Sequence, residues 1–173
     1  MKRISFLIIV LTMASGCKNE TKSTDDNEVK TDSVYLQTEQ DKPVKSTREL
    51  KEELTAKGYQ TFDYVDEKTK DTILMQQYFI AFLKSGPIRS QNEEEAAQLQ
   101  KDHLAHLGRM YEEGYADISG PFGDNGEIRG ITIYNVPTQK MADSLANMDP
   151  MVKAGRLEIE IHPWWAAKGF PLR

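Results

Sequence analysis

Apolar and polar residues alternate through Ile128 to Val136 around Ile131 and Ile133, and the same period returns at Leu157, Ile159 and Ile161. A period of two marks a strand with one buried face. Met75 to Lys84 (MQQYFIAFLK) reads as a further strand, closed by Ser85, Gly86 and Pro87, and Tyr115 to Ser119 as a short one closed by Gly120 and Pro121. A polar turn at Gly123 to Gly126 follows. Between the first two strands the period changes to that of a helix. Ala96, Leu99, His103, His106, Leu107 and Met110 share one face over Asn92 to Glu113, and Gly114 supplies the stop. Thr138 caps a second helix to about Asn147, broken by Asp149 and Pro150, and a short turn reaches Gly155 before the last strand. The predicted order over residues 75–168 is β-α-β-β-α-β, an α+β, ferredoxin-like arrangement.

Two regions precede that unit. Residues 46–74 read as a helix and hairpin. Ser46 or Thr47 caps the helix with Glu49 reaching back, Leu50 and Leu54 lie one turn apart, and Gly58 ends it. Tyr59 to Val65 alternates as a strand, and Asp66 to Asp71 forms the turn. Residues 17–45 are almost wholly polar and read as a flexible tether, because they cannot bury enough surface to offset the entropy of ordering. At the start, Lys2 and Arg3 precede a mostly apolar run from Ile4 to Met13, too short to span a bilayer and laid out as a signal peptide over residues 1–16. Ala14, Ser15 and Gly16 before Cys17 resemble the lipobox of bacterial lipoproteins, with Ala14 where leucine is commonest. The resemblance implies cleavage before Cys17, acylation of its thiol and new amino terminus, and a membrane-anchored place in the bacterial cell envelope. The other reading is an ordinary secretory signal that leaves a free thiol. Residues 169–173 form a tail.

Charge and cysteine content narrow the chemistry. Acidic residues outnumber basic ones by 27 to 22, for a net charge of −5, which argues against a nucleic-acid partner. With one cysteine no intramolecular disulfide can form, so stability rests on a packed core. There is no second hydrophobic span, nucleophile elbow, Walker loop or dinucleotide fingerprint, and no cofactor is expected.

A set of short motifs points further. His103-Leu-Ala-His-Leu-Gly-Arg-Met-Tyr-Glu-Glu-Gly114, Ser119-Gly-Pro-Phe122, Ile131-Thr-Ile-Tyr134, Asp149-Pro-Met-Val-Lys-Ala-Gly155 and Ile161-His-Pro-Trp164, in that order and at those spacings, resemble the YciI-like family. The Gly-Pro-Phe stretch is also similar to the related DGPF-type proteins, with Ser119 in the aspartate's place. The resemblance implies a dimeric α/β barrel built from two ferredoxin-like sheets, hence a homodimer. It also implies a histidine–aspartate pair in the cleft, which falls on His103 and Asp149. One branch of that family dehydrochlorinates a chlorinated hydroxyhydroquinone. Relatives often carry arginine just before the histidine; here Gln100, Lys101 and Asp102 stand there, so an arginine for a substrate anion is missing or replaced by Lys101.

The chemistry of the pair supports the same assignment. Imidazole exchanges a proton near neutral pH, and a carboxylate on one ring nitrogen fixes the tautomer and frees the other nitrogen. The plain alternative is a partly buried histidine and a turn or capping aspartate. His103 and His106, three apart, invite a metal reading, but zinc needs further ligands at recognisable spacing, and no metal is expected. His106 reads instead as a helix-face residue at a dimer interface. Ser119, Gly120 and Pro121 are candidates to present backbone to a ligand oxyanion, against ordinary turn chemistry. Trp164, within His162-Pro163-Trp164-Trp165, is a candidate to line the cleft, with the other tryptophan structural. Two functions fit: binding of a small organic ligand with acid–base elimination or isomerisation, or a non-catalytic ligand-binding or interaction module.

Overall fold

A computed structural model describes residues 45–170 and 172. The signal segment at 1–16, the lipidation candidate Cys17 and the tether up to residue 44 lie outside the described residues. The chain runs α1 (Thr47–Ala56), β1 (Thr61–Val65), β2 (Thr72–Ser85), α2 (Glu93–Glu112), β3 (Ala116–Pro121), β4 (Ile128–Tyr134), α3 (Gln139–Ala146), α4 (Pro150–Lys153) and β5 (Leu157–Ala167). From β2 onward this is the expected ferredoxin-like α+β order, and α1, β1 and the first half of β2 form the expected helix–hairpin extension.

β2 is the organising strand. It pairs antiparallel with β5 along Met75–Ser85, while its other edge is shared end to end by β1 (on Thr72–Gln76) and β4 (on Phe79–Lys84), with β3 outside β4. Alternation along β2 sends Phe79, Ala81 and Leu83 to one face. There Phe79 and Ala81 pack with Met110 of α2, Ala142 and Ala146 of α3, and Tyr134 of β4, while Leu83 joins Met151 and Leu157. Each large apolar side chain closed off this way contributes about 1.5–3 kcal/mol. Leu74, Gln76, Tyr78, Ile80 and Phe82 alternate to the opposite, outer face. α1 sits over one end of that outer face. Lys51 pairs with Asp63, which stands opposite Leu74, the Thr55 and Thr61 hydroxyls are 3.3 Å apart, and Leu54 is buried with Leu74.

The helices form where their ends are capped. Ser46 and Glu49 exchange the expected capping-box bonds on α1. On α2 the Asn92 side chain accepts from the Glu95 N–H at 2.9 Å while the Glu95 carboxylate accepts from the Asn92 N–H at 3.0 Å. Glu93, Glu94 and Glu95 in the first turn and Arg109 in the last complement the helix dipole.

Three boundaries differ from expectation. The segment after Asp149, read as a turn, makes the one-turn helix α4, with Asp149 as its N-cap and Pro150 at the first helical position. β3 continues through Gly120 and Pro121, which pair with Ile131 and Gly130, so the Gly-Pro pair belongs to a strand rather than a turn. β5 runs beyond Ile161 through Pro163 to Ala167. Both prolines are accommodated because β3 and β5 are edge strands, where a missing N–H costs no ladder bond.

One strap sets the geometry of the site. The Gly86 N–H donates to the Arg156 carbonyl at 2.9 Å and the Ile88 N–H to the Gly155 carbonyl at 3.1 Å. Gly155 turns at φ +66°, against Ile88. The connection from β2 to α2 is thereby fastened to the one from α4 to β5.

Candidate functional site

A cavity of about 720 Å³ lies between α2, the helix-covered face of the sheet and the start of β5. His103 lines it from α2, Ser119, Gly120 and Pro121 from β3, and Leu83, Leu104, Leu107 and Leu157 give it apolar walls. α2 presents His103 there because its apolar stripe is turned to the sheet, which leaves the residue only 8% exposed.

Behind the ring stands Asp149, 3% exposed, its Oδ2 2.6 Å from His103 Nδ1. The other carboxylate oxygen accepts the Met151 N–H at 2.8 Å. Asp149 is thus both helix cap and histidine partner; the two readings of the sequence are met by one side chain. An ionised carboxylate only accepts hydrogen bonds, so Nδ1 carries the proton. In the neutral ring Nε2 then holds the lone pair, and its edge is the one left for the cavity. Such a ring can take a proton at Nε2 and hand it back.

The surroundings are polar and closed. His106 is 1% exposed, and so is a buried residue rather than a helix-face residue open to an interface. Its Nδ1 lies 3.0 Å from Arg109 Nη2; a guanidinium only donates, so Nδ1 accepts and the proton sits on Nε2. Burial, the largest cause, pushes the His106 imidazole below its ordinary value, and nearby Asp149 pulls the other way. Burial pushes the Tyr134 phenol well up, and Asp149 adds to that. Both stay neutral near pH 7. Ser119 Oγ lies 3.0 Å from the buried Thr132 hydroxyl. No three His, Cys, Asp or Glu side chains that could hold a metal ion come together among the described residues.

Among the remaining candidates, Ser119, Gly120 and Pro121 reach the cavity wall, but Trp164 does not. Trp164 stands opposite Tyr78 in the β2–β5 register, on the outer face, with the two rings 6.2 Å apart. Trp165 packs on Phe62 at 4.9 Å. Lys101 is exposed and absent from the cavity; Arg89, Arg129 and Arg156 line it instead. These three were missed by the sequence reading. No spacing links them, and only the Gly86–Arg156 strap brings the first and last together.

A βαββαβ sheet with a histidine–aspartate pair beside a cavity under α2 defines an α+β domain. The YCII-related domain family matches residues 79–165, half of the chain, and the chain belongs to that family. No curated protein matches it. Among solved structures it is similar to the 5-chloro-2-hydroxyhydroquinone dehydrochlorinase of Burkholderia phenoliruptrix, in complex with 2,5-dihydroxybenzoquinone. The identity is 19%, the match covers 50% of this chain and 92% of that one, and the TM-score is 0.40.

Proposed function

We propose that this YCII-related domain binds a small organic ligand in the His103 cavity and moves a proton on it. The buried 2.6 Å bond between His103 and Asp149 at the cavity wall carries the reading. His103 Nε2 takes a proton from a C–H of the ligand, and Asp149 holds the ring and stabilises the imidazolium that results. Return of the proton to a neighbouring atom is isomerisation; departure of a leaving group with its electron pair is elimination. Exchange of C–H for deuterium, followed by NMR over a panel of β-keto acids and hydroxybenzenes in D₂O, tests this. At least one compound should exchange with the wild-type chain and about 10²-fold more slowly with His103→Gln. Exchange unaffected by the substitution, or absent across the panel, leaves the non-catalytic binding module.

We further propose that a lipid on Cys17 tethers this domain to the bacterial envelope, a reading supported by the basic, apolar and small-residue order before it. Cys17→Ser should move the protein from the membrane to the soluble fraction of the producing cells. Retention in the membrane fraction would count against a lipid at that position.

A further inference from the structure

The cavity carries a charge pattern that the histidine–aspartate pair does not account for. Arg89, Arg129 and Arg156 line it, and no acidic residue does among the described residues. The chain as a whole is acidic, at −5, so three cations on one cavity are a local reversal. None of the three makes a salt bridge among the described residues. Two are held in place by neutral acceptors. Arg129 Nη1 donates to the Gly126 carbonyl at 3.1 Å, and Arg156 Nη1 to Gln91 Oε1 at 2.9 Å. These bonds orient the guanidinium groups without neutralising them. Arg156 Nε is shut off from solvent with no hydrogen-bond partner, an uncommon state for a buried donor. An oxyanion would supply the missing acceptor. Arg89 is exposed, at the solvent side.

We infer that the ligand of this cavity is an apolar acid, a small ring or chain bearing one carboxylate. The carboxylate sits among Arg89, Arg129 and Arg156, and the apolar body lies against Leu83, Leu104 and Leu107. Planar guanidinium groups match a carboxylate through paired N–H donors, and such bonds strengthen where water is excluded. This rests on the reading of the cavity as the ligand site and adds the chemical class of what enters. It also orients the ligand: with the acid group anchored on the arginines, its body is presented to the Nε2 edge of His103.

Calorimetric titration of the full chain with benzoate and 1-naphthoate, each against its neutral amide, tests it. The carboxylates should bind about tenfold or more tightly than the amides. Arg129→Gln and Arg156→Gln should each bring the ratio of acid to amide affinity toward one, and Arg156→Lys should keep part of the preference. His103→Gln should retain the preference, so the failure of proton transfer and the failure of anion recognition can be told apart. The inference is overturned by equal binding of acid and amide, by no carboxylate binding at millimolar concentration, or by a preference that survives in both glutamine variants. It is also overturned by inorganic phosphate binding as tightly as 1-naphthoate, which would make the apolar body irrelevant.

Discussion

Replacing Asp149 with alanine is expected to lower the unfolding free energy by about 3 kcal/mol. Two losses make up the figure. The cap on the Met151 N–H contributes about 1 kcal/mol, and the charge-assisted bond to His103 about 2 kcal/mol, because its removal leaves a buried N–H without an acceptor. Asp149→Asn should behave differently. Its amide oxygen can still accept from Met151, so most stability is kept, but its NH₂ faces Nδ1 and forces the imidazole proton onto Nε2. That variant folds with the wrong tautomer and has no base toward the cavity. Urea denaturation at constant m-value separates the two. A loss for Asp149→Ala no greater than the cap alone would show that the bond to His103 contributes nothing to stability.

Gly86→Ala should be about as damaging, for a steric reason. A Cβ at Gly86 would lie 2.3 Å from the Gly155 carbonyl oxygen and under 3 Å from two backbone carbons, those of Gly155 and Arg156. Backbone cannot swing aside as a side chain can, and both partners are tied to the Gly86 segment by hydrogen bonds. The expected loss is about 3 kcal/mol or more, with Arg156 displaced from the cavity as the strap opens. Gly108→Ala is the control within the same molecule. It lies exposed in α2 with nothing within 4 Å of its new Cβ, and should stabilise by about 0.5–1 kcal/mol. Thermal melts of the pair give opposite signs if local space decides; a Gly86→Ala melt within error of wild type would sink the argument.

The order of elements was legible in the sequence because each carries its period and its punctuation. The capping pair Ser46 and Glu49, the helical stripe through Met110 and the alternation at Ile131 and Ile133 are all local signals. α4 was not, since four residues are too few to show a period, and Asp149-Pro150 reads equally well as a break. The length of β5 was hidden by Pro163, which excludes a central strand but not an edge one. At the site, His103 and Asp149, 46 positions apart, were named through the family resemblance, and the fold brings them within one hydrogen bond. The arginines follow a different logic. Lys101 stands two residues before His103, and two steps turn a helix by about 200°, so it faces away. Arg89, Arg129 and Arg156 come from three separate connections and strands, and only tertiary structure gives them a common cavity.

Pro163 has an effect beyond the length of β5. This strand borders the sheet, paired only with β2, and its free margin would be a ready template for another chain. The ring at Pro163 removes a donor midway along that margin, and Glu158 and Glu160 add charge beside it. A ladder continued from one molecule to the next would break there. That margin of the sheet is thereby guarded against fibre-like growth.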